Sequence, residues 1–480
     1  MDVKSEIRSG TFWLVGFRYA GLFIQIIISA ILARILSPEE FGIVAVVTVF
    51  VNFFILLSDS GIGSAVIQRT NITESETFSL LIITILLSLF LSLVLWFMGN
   101  FISQFYNNPE YTRIAHLLSI SLFFYTANAI PSALLFKQKK FKQSGLINIS
   151  VQFISGIGTI ILAYSGFSYD SIIYGNILNS ILIFFISLKV VKIRFFKKIG
   201  FDIIKQIFNY SFFQWISNIL TYFSRNLDNL LIGKFLGVTA LGNYDRAYSL
   251  VMLPVSQISK TINTVLHPVL ATFQAEPNYI YDVYKKVAKY LSILGLPLSI
   301  FLYFSAEEII IILYGSKWYS AIPSFKYLSL SIGFQMMYVS AGSIFLALGK
   351  TKYLFYTAVL MAISTISGIL CGIFIGNSIN SVAFFLIFSF TLNFFIAFYI
   401  LVVKLLQKRI SDFISALLPG IKIALAVLFI NVLFSEFVVM SNFLIFNLVF
   451  KLTISFIVFS GILFLIKEHK NVLSLFGWKN

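Results

Sequence analysis

Apolar runs of about 20 residues recur along the whole chain and are separated by short polar connections. A helix needs about 20 apolar residues to cross the ~30 Å hydrocarbon core of a bilayer, so each run predicts a transmembrane helix. The pattern therefore predicts an all-α integral membrane protein of about 14 spans with no soluble domain between them. The predicted spans are residues 12–33, 41–66, 78–100, 113–135, 144–165, 170–190, 212–233, 241–271, 288–306, 322–348, 353–375, 381–403, 414–435 and 443–465.

An internal repeat divides these spans into two sets. Residues 33–42 (ARILSPEEFG) are echoed 200 positions later by residues 233–242 (GKFLGVTALG), and further short matches follow at slightly larger offsets. Each set holds an even number of spans and enters the membrane from the same side, so the repeat predicts parallel lobes with a substrate site between them. The predicted parts are an N-terminal lobe over 1–205 (spans 1–6), a second lobe over 206–410 (spans 7–12) and a two-span extension over 411–480.

Composition and charge agree with a membrane protein. The chain is 59% hydrophobic and 11% charged, which leaves too few polar groups to cover a soluble globule. Its net charge of +16 would suit nucleic acid, but 24 basic residues lie in the termini and connections of one predicted side and only 4 in the opposite connections. This positive-inside pattern predicts cytoplasmic termini and contact with anionic inner-leaflet lipid, and no nucleic-acid partner.

The sequence lacks the motifs of several enzyme classes. It has a single cysteine, Cys371, and three scattered histidines, so we expect no disulfide, no metal site and no bound cofactor. It has no Walker A sequence and no Gly-x-Ser-x-Gly, which excludes an ATPase site and a nucleophile elbow. The predicted outer connections are too short to hold a catalytic domain, and we expect no enzyme activity.

Span 7 carries an unusual line of polar residues. Its members are spaced by 4, 3, 4 and 3 residues, which places them on one helical face. They are Gln214, Asn218, Thr221, Arg225 and Asp228. An ionised side chain at the bilayer centre costs about 2.5–3.5 kcal/mol on insertion scales, so we expect Arg225 to face protein or water.

Span 1 carries a matching polar face, formed by Arg18, Gln25 and Ser29. The repeat offset of 200 pairs these positions with Asn218, Arg225 and Asn229. We therefore expect both faces to line one cavity between the lobes, which would hold cations without matching anions. Two alternatives stay open: Arg18 could snorkel to its helix end, and Arg225 could form a structural i,i+3 ion pair with Asp228.

Other intramembrane charges have two possible roles each. Lys260 in span 8 is either a cavity cation or a residue near a helix end. Asp59 begins the small-residue sequence DSGIGS, where close helix packing is slightly favoured over ion binding. Glu307 and Glu308 lie near a predicted outer boundary, where solvated carboxylates are expected.

Three segments resemble a known family. They are ILARILSPEEFG at 31–42, DSGIGSAVIQ at 59–68 and DNLLIGKFLGVTALG at 228–242, the last followed by Tyr244 and an Arg-Ala-Tyr at 246–248. These are similar to the polysaccharide transporter family, the Wzx-like lipid-linked oligosaccharide flippases, and most of all to its colanic-acid exporter branch. That family belongs to one superfamily with the MATE drug exporters and the lipid II flippase MurJ.

The resemblance implies a V-shaped pair of lobes that alternates between inward-open and outward-open forms in the bacterial cytoplasmic (inner) membrane. Its substrate would be an undecaprenyl-diphosphate-linked oligosaccharide, moved to the outer leaflet for O-antigen, capsule or exopolysaccharide synthesis. A polysaccharide polymerase and chain-length machinery are possible partners. By analogy with the lipid II flippase, spans 13–14 would offer a groove for the prenyl tail.

The resemblance, combined with the polar faces, assigns roles to the candidate residues. A diphosphate crossing a low-dielectric region needs fixed cations, and the guanidinium fork of arginine matches phosphate oxygens. The diphosphate-binding set is Arg18, Gln25, Asn218, Arg225 and Lys260, with Ser29, Gln214, Thr221 and Asn229 as polar cavity lining. A proton or sodium gradient would supply the energy, with Asp228 or Asp59 binding the coupling ion.

Three other functions compete with a flippase. A multidrug or small-molecule antiporter of the same fold would need cavity acids for cationic drugs, whereas these spans hold mainly arginine and lysine. A membrane glycan polymerase or ligase would need longer outer loops. A scaffold without transport activity predicts that loss of the charge at Arg225 has no effect.

Overall fold

The computed structural model describes residues 3–58, 63, 66–67, 72–193, 212–437 and 443–469; within these ranges, the side chains of 3–12, 14, 212–215, 217–218, 259–261, 263–265, 267–268 and 436–437 are not described. Throughout this part the chain is helical, apart from short turns. The first helices are α1 (Val3–Ile35), α2 (Pro38–Ser58), α3 (Glu74–Tyr106), α4 (Glu110–Ala127), α5 (Ala129–Lys137), α6 (Phe141–Tyr164) and α7 (Asp170–Val191).

The remaining helices follow residue 211. They are α8 (Phe212–Phe235), α9 (Val238–Ala271), α10 (Pro277–Phe304), α11 (Ala306–Tyr314), α12 (Ile322–Ser329), α13 (Ile332–Ala347), α14 (Thr351–Phe374), α15 (Ile379–Phe398), α16 (Ile410–Phe437) and α17 (Leu444–Leu465). A 3₁₀ helix, Ser316–Ala321, precedes α12, and a π-helical segment, Tyr399–Leu405, follows α15.

The predicted count of 14 spans is not confirmed. Among the described residues, 11 helices are long and apolar enough to cross a bilayer, or 12 if the bent pair Ser316–Ser329 and Ile332–Ala347 forms one span. The predicted spans 7 and 8 are continuous helices, α8 and α9, of 24 and 34 residues, and are not among these 11. Only described residues were counted, and part of each of these two helices has side chains that are not described. The line of polar residues in span 7 also lowers the mean hydropathy of that span.

The chain forms two compact units. Unit 1 is Met1–Trp215 and unit 2 is Ile216–Asn480. The predicted lobe boundary at 205/206 lies outside the described residues. Their parallel arrangement and V shape stay predictions.

Within unit 1, α1 packs closely on α6. A Cβ atom at Gly145 would lie 2.1 Å from the Phe17 ring, and one at Gly156 would lie 2.0 Å from Ile28. The Gln152 side chain of α6 also donates a hydrogen bond of 3.1 Å to the Gly21 carbonyl of α1. Small residues thus allow the backbones of α1 and α6 to approach closely. Such close packing holds membrane helices together, because lipid supplies no hydrophobic driving force between them.

The two-span extension is part of unit 2. Gly420 of α16 lies so close to α10 that a Cβ atom there would be 2.5 Å from the Ser292 backbone. Asn431 of α16 donates a hydrogen bond of 3.0 Å to the Ser455 hydroxyl of α17, and both side chains are buried. Because a polar group in hydrocarbon needs a partner, this bond fixes the two helices to each other.

Candidate functional site

The clearest buried acid of the described chain is Asp228 near the end of α8. Its side chain is 3% exposed, and its two oxygens accept hydrogen bonds from the Tyr244 hydroxyl of α9 at 2.7 Å and from the Asn229 backbone amide at 2.8 Å. Among the described residues, no ion pair joins Asp228 to Arg225. The structural ion pair considered from the sequence is therefore wrong, and Tyr244 takes its place.

Polar groups extend from Asp228 along α9. The Asn229 side chain donates to the Asp245 carboxylate at 3.4 Å, and Asp245 pairs with Arg246 at 2.7 Å. The side-chain carbonyl oxygens of Asn229 and Asn243 are buried and have no hydrogen-bond partner within the described part of the chain. An unpaired buried oxygen is costly, so it calls for a ligand, a water or an ion.

Arg225 lines a small internal cavity of unit 2. The cavity holds about 10 Å³, which is about the space of one water molecule. Its other lining residues come from α13, α14 and α15 and are Gln335, Tyr338, Met361, Phe390 and Asn393. In the described part of the chain the Arg225 guanidinium forms no hydrogen bond or ion pair. Its neighbours are amides, a phenol and apolar groups, and none of the lining residues is a carboxylate.

Two buried amides that line the Arg225 cavity were not predicted from the sequence. Gln335 and Asn393 are each 4% exposed, and Asn393 also accepts a hydrogen bond of 2.6 Å from the Ser364 hydroxyl of α14. Both amides lie in otherwise apolar helices, in the predicted spans 10 and 12. An isolated amide in an apolar span is a signal that could have identified them.

The polar face of α1 is placed differently from that of α8. Gln25 is exposed on unit 1, whereas Arg18 and Ser29 are partly buried and both have polar or electrostatic partners. Phe17, Gly21 and Ile28 form the neighbouring face that packs on α6, so the polar line is turned away from this packing face.

Several predicted site residues lie outside the described residues. Asp59 is one of them, and the side chains of Gln214, Asn218 and Lys260 are likewise not described. Thr221 is described and partly buried. Their predicted roles as ion site, diphosphate ligands and cavity lining stay predictions.

The SPEEFG motif has a structural role. Ser37 and Glu40 form a reciprocal cap at the start of α2: the Ser37 amide donates to the Glu40 carboxylate at 2.6 Å, and the Glu40 amide donates to the Ser37 hydroxyl at 3.3 Å. The Ser168 hydroxyl, in the turn before α7, donates to the other Glu40 oxygen. The motif therefore begins a helix and joins two turns of unit 1.

A second cluster joins the starts of α4 and α7. Arg113 pairs with Asp170 at 3.0 Å and with Glu110 at 3.0 Å, and the Tyr169 hydroxyl donates to Glu110 at 2.9 Å. These side chains are partly exposed, so the cluster is a surface tie, that is, a set of ion pairs at the surface that joins two turns.

Glu308 differs from the sequence expectation. We expected a solvated carboxylate, but Glu308 is 5% exposed and pairs with Lys451 of α17 at 2.5 Å. Lys451 also donates to the Phe304 carbonyl at 2.8 Å, and beyond the other end of α17 Glu468 pairs with Lys289 of α10. Glu308 is buried rather than solvated because α17 packs over α11.

The fold resembles that of a known flippase. The lipid II flippase MurJ, in an inward closed conformation, matches with a TM-score of 0.72 and 16% identity, over 94% of this chain and 97% of that one. At this identity the likeness shows the fold, as the resemblance predicted.

Relatives by sequence belong to polysaccharide synthesis. The teichuronic acid biosynthesis protein TuaB of Bacillus subtilis is 26% identical over 361 residues, which cover 74% of each chain. The succinoglycan biosynthesis transport protein ExoT of Rhizobium meliloti is 22% identical over 372 residues, 77% of this chain and 75% of that one. The family model described as polysaccharide biosynthesis protein matches residues 31–323, which is more than half of the 480 residues. The chain therefore belongs to the polysaccharide biosynthesis protein family of multi-pass membrane proteins.

Proposed function

We propose that this protein is a flippase that moves an undecaprenyl-diphosphate-linked oligosaccharide from the cytoplasmic to the outer leaflet of a bacterial inner membrane. Three findings support this function: the polysaccharide biosynthesis family, the relative ExoT that is named as a transport protein, and the likeness to the fold of the flippase MurJ. The observation that carries it is Arg225, an arginine inside unit 2 with neutral polar neighbours. A guanidinium without a carboxylate partner is available to an anion.

The chemistry of the substrate matches this arrangement. A diphosphate loses its hydration when it enters a region of low dielectric constant, and a fixed guanidinium replaces that hydration with two parallel hydrogen bonds. Gln335, Tyr338 and Asn393 line the same cavity with neutral polar groups, which leave the positive charge of the arginine uncompensated. Arg18, on the partly exposed polar face of α1, is the candidate diphosphate ligand of unit 1.

Energy would come from a proton or sodium gradient. Asp228 is the described carboxylate that suits this role, since it is buried and hydrogen-bonded to Tyr244 rather than to a cation. The unpaired carbonyl oxygens of Asn229 and Asn243 lie next to Asp228 and Tyr244 in the sequence and supply hard oxygen ligands of the kind that sodium accepts. Both termini would be cytoplasmic, as the basic connections predict.

The competing functions have less support. A multidrug antiporter would need carboxylates facing the drug, whereas the lining of the Arg225 cavity has none. A polymerase or ligase would need a catalytic group, and we assign none. In the cell, a polysaccharide polymerase and chain-length machinery would use the flipped product.

A flipping assay with reconstituted protein and a lipid-linked oligosaccharide tests this function. We expect Arg225→Ala and Arg18→Ala each to lower the flipping rate at least tenfold, because each removes a diphosphate ligand. Arg409→Ala is the matched control, since it removes the same side chain from an exposed connection, and it should flip at the wild-type rate. Normal flipping by both folded variants would show that the cationic-site hypothesis is wrong.

A further inference from the structure

A groove with one basic lining residue lies on unit 2 and shares no lining residue with the Arg225 cavity. It runs between the first turns of α14 and the π-helical segment that follows α15, and its volume is about 380 Å³. This volume is typical of small-molecule sites, which range over about 300–1,000 Å³. The lining residues are Tyr353, Tyr356, Val359, Leu360, Ile400 and Lys404.

The groove has apolar walls and is open. Tyr356 is 44% exposed and Leu360 is 39% exposed, on one face of α14. From Tyr353 to Leu360 the wall rises seven residues, which is about 10 Å of helix. In a chain that spans a membrane, an open apolar wall of this length can hold part of an acyl chain.

Two lysines at the groove, Lys404 in its lining and Lys352 beside Tyr356, lack acidic partners among the described residues. Lys404 lines it, and the Lys352 ammonium lies 5.9 Å from the centre of the Tyr356 ring. Neither lysine forms an ion pair within the described residues. The sequence contains no aspartate or glutamate between Glu308 and Asp412, so no acid in this stretch offsets their charge. An uncompensated lysine at a membrane surface attracts an anionic headgroup.

The backbone around Lys404 is unusual. The Leu406 amide donates to the Leu401 carbonyl at 3.0 Å, a hydrogen bond over five residues, and the segment 399–405 is π-helical. Turns of this kind are rare in helices and are frequent at functional sites. Ile400 and Lys404 are four residues apart in this segment and both line the groove.

We propose that this groove binds one anionic phospholipid, with its phosphate at Lys404 and one acyl chain along Tyr356 and Leu360. The charge of the lysines selects an anionic over a zwitterionic lipid, and the apolar walls select a lipid over a free phosphate ester. The groove shares no lining residue with the Arg225 cavity, so failure of this proposal would leave the proposed flippase function untouched.

Lipid retention by the purified full-length protein tests the proposal. Native mass spectrometry would compare phosphatidylglycerol with phosphatidylcholine at equal concentrations. Loss of one lysine near a membrane surface is worth about 1 kcal/mol, so Lys404→Gln should weaken phosphatidylglycerol binding about fivefold. Lys467→Gln removes the same charge outside the groove and should leave binding at the wild-type level. Leu360→Gln should weaken both lipids by disturbing the chain wall.

Three results would overturn the proposal. The first is equal retention by Lys404→Gln and Lys467→Gln. The second is displacement of phosphatidylglycerol by glycerol phosphate at the same concentration, which would mean that the chain wall contributes nothing. The third is stronger binding of a polyprenyl phosphate than of phosphatidylglycerol, which would assign the groove to the transported lipid.

Discussion

The two compact units place their charges differently. In unit 1, the pair of Arg113 and Asp170 joins two turns, with side chains 43% and 22% exposed. In unit 2, the pair of Lys451 and Glu308 joins two helices, with side chains 12% and 6% exposed. Exposed pairs contribute little because water and salt screen them, whereas a buried pair cannot lose one partner without leaving an isolated charge.

The helices α1 and α8, which the sequence repeat predicts to be equivalent, show the same difference. On α1 the polar face leaves Gln25 exposed, while on α8 the polar face ends at Asp228, which is buried and bonded to Tyr244. The polar faces of these two helices therefore have different surroundings. Four measurements test this difference between the more exposed polar groups of unit 1 and the buried ones of unit 2.

The largest effect should follow from breaking the buried pair of unit 2. Lys451→Met leaves Glu308 as an uncompensated buried charge and should lower stability by about 3–5 kcal/mol. Thermal unfolding in detergent measures this loss, and the double variant with Glu308→Leu should recover most of it. If Lys451→Met unfolds at the wild-type temperature, α17 is not locked by this pair.

A smaller loss should follow from removing the hydroxyl that bonds Asp228. Tyr244→Phe leaves one oxygen of a buried carboxylate without its donor and should cost about 1–3 kcal/mol. Tyr248→Phe is the matched control, because the Tyr248 ring stacks on Tyr244 while Asp228 keeps its donor. Equal unfolding temperatures of the two variants would contradict the proposed bond.

Arg225→Met should raise stability while it lowers flipping. The guanidinium has no described partner, so an apolar side chain of similar length should stabilise unit 2 by about 0.5–2 kcal/mol. Gln25→Leu, at the paired position of α1, should change stability by less than about 0.5 kcal/mol because it is exposed. A destabilised Arg225→Met would indicate that this arginine holds the fold.

The smallest effect is expected at the surface tie of unit 1. Arg113→Gln should cost about 0.2–1 kcal/mol, and the loss should shrink at high salt. Unfolding curves at low and high salt would show this. A loss as large as that of Lys451→Met would remove the contrast between the units.

The sequence predicted much of the fold and only part of the site. The predicted spans 170–190 and 353–375 agree with α7 and α14 within a few positions. Long apolar runs are easy to assign, because a chain in lipid must satisfy its backbone hydrogen bonds internally and does so as a helix. The break at Asn128 between α4 and α5 and the 55° bend before α13 were missed, because both lie inside apolar runs.

The sequence by itself determined the helical membrane class and the family, since these follow from hydropathy and short motifs along the chain. It also predicted an internal repeat. It also marked Arg225 and Asp228 as unusual, because charges are rare in apolar spans. Only the tertiary structure decided which residues surround them. Tyr244 reaches Asp228 from the next helix, and Gln335 and Asn393 approach Arg225 from more than 100 residues away. Such contacts depend on how helices pack, and no spacing within one helix contains that information.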